Sequence, residues 1–248
     1  MIRNLKVLIA AAMALAAFGA LSATAHAAEE KFHCNVEPCT ATLLPDETAG
    51  TATAHHVFVV KGKTPAGAEG TVSFTCNQLT GEATSNTATS TELTFTNLVY
   101  ENSAATPEDK CKIGASETVT VEFTGCDYLF KSTGGATDSA TVSLQCPVGK
   151  SVHIKVNGTT CLTVTPFSNA VGLGYHDAAA PKKEIVTATA NVTLPAGSVD
   201  VVSSTGNCAA VGLASVTTAT YTTGNTLVTG ETDVKSPEKP VMKNVWFE

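Results

Sequence analysis

Apolar and polar residues alternate with a period of two along most of the chain beyond residue 27. Val72, Phe74 and Cys76 fall on one face of such a segment, and 186–194 contains the longest run. Successive side chains of a β-strand point to opposite faces, so this alternation is typical of half-buried strands. No stretch beyond residue 27 sustains the helical period of an amphipathic helix. The pattern predicts an all-β fold whose antiparallel strands pack as a β-sandwich.

Local interruptions of the pattern predict a turn, a bulge and a central strand. Asn157-Gly158 separates two alternating segments, and both residue types accept the positive φ of a tight hairpin turn. The apolar positions of 93–100 change phase near Asn97, which predicts a β-bulge there. The segment 55–61 is apolar on both faces, as expected for a strand with neighbours on both sides.

A faint internal repeat predicts two tandem β-sandwich units. In each half, a strand next to a cysteine is followed by a Thr-rich strand, a second cysteine, a glycine and a further strand. Sandwich units of roughly 100 residues are common, and we place them at 28–132 and 133–231. A single larger sandwich or a stacked meander is the alternative. The remaining tail, 232–248, is predicted to end in an edge strand or, alternatively, in an aromatic tag that pairs with another chain.

The first 27 residues have the organisation of a cleavable export signal. Arg3 and Lys6 precede an apolar stretch, 7–21, and Ala25-His26-Ala27 follows as a small-x-small cleavage site. About 15 apolar residues are fewer than the ~20 that a membrane-spanning helix needs. We therefore expect cleavage after Ala27, a secreted extracellular protein, and no membrane insertion of the mature chain.

The charge balance argues against nucleic acids as partners. The chain has 15 basic and 22 acidic residues, for a formal net charge of −7. Loss of Arg3 and Lys6 with the signal leaves 13 basic residues, and 13 minus 22 is −9. Binding to phosphate backbones depends on clustered Lys and Arg that displace counterions. Nucleic-acid binding is therefore not expected.

All 8 cysteines lie beyond the signal, which predicts disulfides formed in an oxidising compartment. Such a set allows on the order of 100 pairings. The internal repeat makes two pairs equivalent, a third pair flanks a predicted hairpin, and the last two cysteines enclose a small ring. A bond between Cys146 and Cys161 is the rival for the third pair. The predicted bonds are Cys34–Cys39, Cys76–Cys111, Cys126–Cys146 and Cys161–Cys208.

Zinc ligation is disfavoured because short Cys-x-x-Cys spacings are missing, and no metal or other cofactor is predicted.

The chain offers little that indicates catalysis. It has no Gly-x-Ser-x-Gly or His-Glu-x-x-His motif, and its Gly-Lys-Thr and Gly-Lys-Ser fragments lack the earlier glycine of a phosphate-binding loop. Tyr175-His176-Asp177 follows two glycines in a predicted loop, where a carboxylate could orient the imidazole as a base. His176 and Asp177 are thus the catalytic candidates, but no paired nucleophile accompanies them. The chain is predicted not to be an enzyme.

Several blocks of the sequence resemble those of other secreted proteins. The blocks are Phe32-His33-Cys34 with Cys39, 76–81, 125–128 and 146–150. In these blocks the chain resembles an uncharacterised family of secreted, cysteine-containing β-rich proteins of actinobacteria, over nearly the whole mature length. The resemblance implies secretion and a bacterial source, and it carries over no active-site residue.

The predicted surface is rich in threonine and poor in aromatic residues, so it presents hydroxyl groups rather than a deep apolar pocket. Such a surface suits contacts with carbohydrate or protein at the cell surface. We therefore expect a non-catalytic binding, adhesion or structural role there. Two alternatives stay open: an extracellular hydrolase that uses the Tyr175-His176-Asp177 loop, and a protein inhibitor that acts through the preorganised Cys34–Cys39 ring.

Overall fold

The computed structural model describes most of the chain beyond the predicted signal peptide, 1–27, which lies outside it. The described residues are 31–34, 39–45, 56–76, 78–85, 89–101, 111–114, 117–133, 139–177, 185–230 and 245–247. They form β-strands and one short 3-10 helix, Gly206–Cys208. The strands are β1 (Phe32–Cys34), β2 (Cys39–Pro45), β3 (His56–Lys63), β4 (Glu69–Cys76), β5 (Gln78–Ser85), β6 (Thr89–Ser90), β7 (Glu92–Glu101), β8 (Cys111–Ile113), β9 (Glu117–Glu122), β10 (Asp127–Ser132), β11 (Ser139–Gln145), β12 (Val152–Val156), β13 (Thr159–Val164), β14 (Phe167–Asp177), β15 (Ile185–Thr193), β16 (Val199–Val201), β17 (Ser215–Gly230) and β18 (Val245–Phe247).

The all-β prediction is confirmed, and the strands pair antiparallel. Fifteen strands form one large curled sheet, in the order β15-β14-β11-β10-β7-β5-β2-β17-β3-β4-β8-β9-β12-β13-β16. A second, three-stranded sheet has the order β18-β1-β6. Strands of 28–132 and 133–231 alternate within the large sheet, so the strands do not separate at residue 132. The prediction of two tandem sandwich units is not confirmed.

The long strand β17 closes part of the large sheet into a ring. Its residues 220–229 pair with β15 along one edge, while 226–230 pair with β2 and 215–222 pair with β3. Since a strand has only two edges, β2 and β3 must follow each other along the edge opposite β15. Eight strands therefore close on themselves, in the order β17-β2-β5-β7-β10-β11-β14-β15. We call these eight strands the ring.

The other strands of the large sheet extend from the ring through β3. They run from β3 to β16 and form what we call the outer sheet. Contacts between β7 and β9, and between β16 and β17, bring the outer sheet back against the ring. One hydrophobic core is shared by both parts, because apolar rows continue from strand to strand. Val192 of β15 pairs with Tyr221 of β17, which pairs in turn with Phe58 of β3.

The small sheet lies at one end of the ring. Its strands β1 and β18 contact β2, β14, β15 and β17 of the ring. Phe32 of β1 is buried and packs edge-on against Tyr175 of β14, with ring centroids 4.9 Å apart. In the tail, Val245–Phe247 pairs with β1 in the same chain, with Trp246 opposite His33.

The predicted local features of the strands are confirmed. Val156 pairs with Thr159 across the Asn157-Gly158 turn, whose two residues have φ of 47° and 84°. Asn97 has a φ of 53° beside a register shift between β5 and β7, which is the predicted bulge. The segment 56–61 lies between β17 and β4, as predicted for a central strand.

Strand β14 contains two bulges that bend it around the ring. Ala140 pairs with Leu173 while Thr141 pairs with Val171, which leaves Gly172 as an extra residue. A second register shift occurs near Asn169, whose backbone N–H donates to the Ser143 hydroxyl at 2.9 Å. Bulges increase local twist and curvature, which closing a sheet requires.

Candidate ligand-binding cavity

An apolar cavity lies where the ring meets the outer sheet. It has a volume of about 60 Å³. The ring supplies side chains such as Leu43, Leu144 and Val192, and the outer sheet supplies others such as Val121 and Ile154. The interior of a closed eight-stranded sheet is just wide enough to be filled by side chains or to hold one small ligand. The structure therefore contains an interior apolar cavity that the sequence did not predict.

The apolar lining of the cavity results from the alternation of apolar and polar residues along the strands. Described inward positions of β10, β11 and β15, such as Phe130, Val142 and Val192, carry apolar residues, and their outward neighbours are mostly polar. At the end of the ring near β1, the aromatic side chains of Tyr175 and Phe95 are fully buried. In the cavity, aliphatic side chains such as Val142 and Val192 share the lining with aromatic ones.

Three tyrosines supply the polar groups among the residues that line the cavity. They are Tyr100 of β7, Tyr128 of β10 and Tyr221 of β17. The hydroxyls of Tyr100 and Tyr128 lie 3.4 Å apart. The hydroxyl of Tyr221 lies 2.5 Å from Nδ1 of His56, a side chain that is only 1% exposed. His56 in turn packs edge-on against Tyr100, with ring centroids 5.5 Å apart. We call these four residues the tyrosine–histidine cluster.

The phenols of Tyr100 and Tyr128 stay protonated far into the alkaline range, because burial raises the pKa of each. Burial raises the pKa of Tyr128 to about 12. Burial also raises the pKa of Tyr100 well above its ordinary value, and the neighbouring phenols Tyr128 and Tyr221 add to the increase. The lining that the structure describes contains no Lys, Arg, Asp or Glu. At neutral pH the cavity is therefore apolar with hydroxyl donors at one side.

We expect the protein to lose stability as the pH rises from about 10 to about 12. The unfolded phenol ionises near pH 10, whereas Tyr128 in the folded state ionises near 12, so stability is full below the unfolded pKa and falls above it. Two pKa units correspond to about 3 kcal/mol for this residue alone. Urea unfolding at several pH values in this range, with tyrosinate absorbance recorded in parallel, measures the loss.

The variant Tyr128→Phe is the control for this pH dependence. It has no phenol to ionise at this position, so its free energy of unfolding should decline less steeply over the same pH range. Equal slopes for the wild type and this variant, or tyrosinate formation that is complete near pH 10 in the folded protein, would contradict the assignment.

The predicted catalytic candidates lie in a different setting from the one expected. His176 and Asp177 belong to strand β14, where they pair with Thr187 and Val186 of β15. The prediction of a loop at Tyr175-His176-Asp177 was therefore wrong, because the alternation of β14 continues through its glycines by means of the bulge at Gly172. Tyr175 is buried inside the ring. The side chains of His176 and Asp177 lie outside the described part of the structure.

Three of the predicted disulfides are present. Cys76–Cys111 joins β4 to β8, Cys126–Cys146 joins the two sides of the β10–β11 hairpin, and Cys161–Cys208 joins β13 to the 3-10 helix. The rival bond between Cys146 and Cys161 is thereby excluded. The predicted Cys34–Cys39 bond, and with it the ring of the inhibitor hypothesis, involves side chains outside the described part of the structure.

Sequence reasoning missed the tyrosine–histidine cluster, although a signal for it exists. The chain has 4 tyrosines, and each is in phase with an apolar neighbour two positions away. Examples are Leu98 with Tyr100, Tyr128 with Phe130, and Ala219 with Tyr221. That phase places all three phenols on the inner face. Their convergence depends on strand pairing between distant segments, which the sequence does not reveal.

Comparison with known proteins finds no matching family model, no matching curated protein and no matching solved structure. The resemblance to secreted actinobacterial proteins therefore stays a prediction. None of the residues that the structure describes belongs to a helix with the length and apolar character needed to cross a membrane.

Proposed function

We propose that this chain is an exported, disulfide-stabilised binding protein that holds a small apolar molecule in the cavity without transforming it. The observation that carries the proposal is the cavity of about 60 Å³ between the ring and the outer sheet. Cavities of this kind, apolar with a few polar groups on the wall, are common ligand sites, and the mouths of closed sheets are among their usual places.

The size of the cavity limits what it holds. A water-sized position takes about 10–15 Å³, so the cavity offers about four to six such positions. A ligand, or the buried part of one, therefore has about that many non-hydrogen atoms unless side chains move. Apolar surroundings favour an apolar occupant over water, because a water molecule needs two to four polar partners.

The export and the non-catalytic role are parts of the same proposal. Three disulfides fit a protein that matures in an oxidising compartment, and the predicted signal at 1–27 supplies the route. The lining residues that the structure describes include no serine, cysteine or carboxylate that could act as a nucleophile or general base. The adhesion, hydrolase and inhibitor hypotheses stay predictions, since no described contact bears on them.

We expect xenon to bind in the cavity of the wild type and not in the variant Val192→Phe. Xenon is a suitable probe because dry apolar cavities bind it, and it is smaller than most organic molecules. Val192 is buried in the cavity wall, so a phenyl group there would occupy the space. Under increasing xenon pressure, methyl resonances of Val142 and Leu144 should shift and saturate in the wild type only.

The matched control is Val171→Phe. Val171 is 68% exposed on β14, so the same chemical change leaves the cavity open and xenon binding intact. Overpacking at Val192 costs about 1–3 kcal/mol. If that variant does not fold, Ala190→Val adds a smaller volume to the same wall. Absence of saturable shifts in the wild type, or equal shifts in a folded cavity-filled variant, would overturn the proposal.

A further inference from the structure

The polar groups of the cavity are concentrated in the tyrosine–histidine cluster. His56, Tyr221, Tyr100 and Tyr128 form a continuous series of neighbours: ring centroids of Tyr100 and Tyr221 are 6.3 Å apart, and those of His56 and Tyr221 are 6.0 Å apart. The rest of the lining that the structure describes consists of apolar side chains, among them Leu144, which pairs directly with Tyr128 across neighbouring strands. An occupant therefore meets a few hydroxyl groups within an otherwise hydrocarbon lining.

The hydroxyls of Tyr100 and Tyr128 form a long hydrogen bond with each other, and the Tyr100 hydroxyl has Tyr221 as a second hydrogen-bond neighbour. The hydroxyl oxygens of Tyr100 and Tyr128 are 3.4 Å apart, whereas O–H···O hydrogen bonds are most often about 2.7–2.8 Å long. Each phenol has one donor and also accepts. A ligand oxygen near both hydroxyls can form shorter bonds than the two phenols form with each other. This geometry favours a ligand that has an oxygen atom over a pure hydrocarbon.

The charge of the surroundings favours a neutral ligand over an ion. A carboxylate in the cavity would lose its hydration with no cation among the described lining residues to compensate, and an uncompensated buried charge is strongly unfavourable. The chain has one arginine, Arg3, and it lies in the predicted signal peptide. The raised pKa values of Tyr100 and Tyr128 keep both phenols as neutral donors.

We infer that the cavity selects uncharged, oxygen-bearing apolar molecules, of the class of alcohols and esters, through hydrogen bonds from the hydroxyls of Tyr100 and Tyr128. This inference rests on the proposed function, because it names the ligand class of the same cavity. Fatty acids and other anions of similar size are excluded from the cavity, because no cationic side chain among the described lining residues would neutralise their charge. Alkanes bind without a hydrogen bond, because they have no oxygen to accept one from the phenols.

The inference is tested with four small probes of nearly equal size. Pentan-1-ol and methyl propanoate carry a neutral oxygen, butanoate has the same number of non-hydrogen atoms as methyl propanoate but a negative charge, and pentane has no oxygen. Their dissociation constants are measured by NMR titration for the wild type, Tyr100→Phe, Tyr128→Phe and Tyr175→Phe. Tyr175 is the matched control, since it is buried in the ring but does not line the cavity.

We expect methyl propanoate to bind at least about tenfold more tightly than butanoate, as the cost of burying an unpaired charge requires. Loss of one neutral hydrogen bond weakens binding about 3- to 10-fold. Tyr100→Phe and Tyr128→Phe should therefore weaken the binding of pentan-1-ol and methyl propanoate by that factor and leave the binding of pentane unchanged. Tyr175→Phe should change none of the four constants.

The outcomes separate this inference from the proposed function. Equal binding of butanoate and methyl propanoate, or equal effects of Tyr100→Phe on pentan-1-ol and pentane, would overturn the inference while the cavity remains a binding site. Failure of all four probes to bind a protein that takes up xenon would also overturn it. If xenon fails as well, the proposed function itself is wrong. A folded Tyr100→Phe variant is confirmed by its spectrum before titration, and Tyr128→Phe replaces it if it does not fold.

Discussion

Removing the Cys161–Cys208 disulfide by replacing both cysteines with alanine is expected to lower the free energy of unfolding by about 4 kcal/mol. The two residues are 47 positions apart in the sequence, and a cross-link that closes a loop of that length restricts the unfolded chain strongly. Both cysteines are fully buried, so alanine is preferred to serine, which would bury a hydroxyl. The closed loop contains β14 and β15, which supply part of the cavity wall. Ligand binding should weaken together with stability.

Urea unfolding of the oxidised wild type and the double variant measures this loss. The matched control is the pair Cys126 and Cys146, also replaced by alanine. These residues are 20 positions apart and flank a hairpin that pairs locally, so the loop-entropy model gives about 3 kcal/mol for their bond. Two results would contradict this explanation: an unchanged stability of the Cys161 and Cys208 variant, or a larger loss of stability in the Cys126 and Cys146 variant. Either result would show that the Cys161–Cys208 bond does not stabilise the protein by restricting the long loop in the unfolded chain.

Gly172→Ala is expected to destabilise the fold by about 2–5 kcal/mol and to impair ligand binding. Gly172 has a φ of 106°, a conformation that residues with a Cβ rarely adopt. A Cβ built there would lie within 2.3 Å of the backbone oxygen of Asn191, and backbone cannot move aside as a flexible side chain can. The left-handed conformation alone costs about 1–2 kcal/mol, and relief of the overlap adds about 1–3 kcal/mol. Asn191 precedes Val192, so the displacement also reaches the cavity wall.

Gly149→Ala separates the two parts of this effect. Gly149 also has a positive φ, of 74°, but a Cβ there meets no atom within 4 Å. It should therefore lose only about 1–2 kcal/mol and should bind xenon as the wild type does. Chemical unfolding and the xenon titration are made on both variants. Similar losses of stability in the Gly172→Ala and Gly149→Ala variants would mean that β14 and β15 can separate at Gly172 without cost. The close approach of Gly172 to the Asn191 backbone would then be unimportant for the fold.

Features that depend on neighbouring residues were predicted correctly. The Asn157-Gly158 turn needs only two residues that accept positive φ, and the bulge at Asn97 follows from a phase change within one strand. The Cys126–Cys146 bond follows from the hairpin between the two cysteines. Each of these predictions uses information contained in a short stretch of chain, where sterics and alternation act directly.

Features that depend on distant residues were predicted less well. The tandem units were inferred from similar strand patterns, but Cys76–Cys111 joins neighbouring strands of a sheet while Cys161–Cys208 joins a strand to a 3-10 helix. The four cysteines were therefore paired correctly, although the two disulfides are not structurally equivalent. The loop predicted around His176 is a strand, because the bulge at Gly172 lets β14 continue past its glycines.

By itself the sequence determined the all-β class, the local turns and which face of each strand is apolar, because these properties follow from steric preferences and side-chain alternation within a few residues. Only the tertiary structure decided that β17 closes eight strands into a ring and that three tyrosines from β7, β10 and β17 meet at one cavity. The physical reason is that antiparallel pairs of similar Thr- and Val-rich strands are nearly interchangeable locally. Their partners are chosen by how the whole set packs its apolar faces.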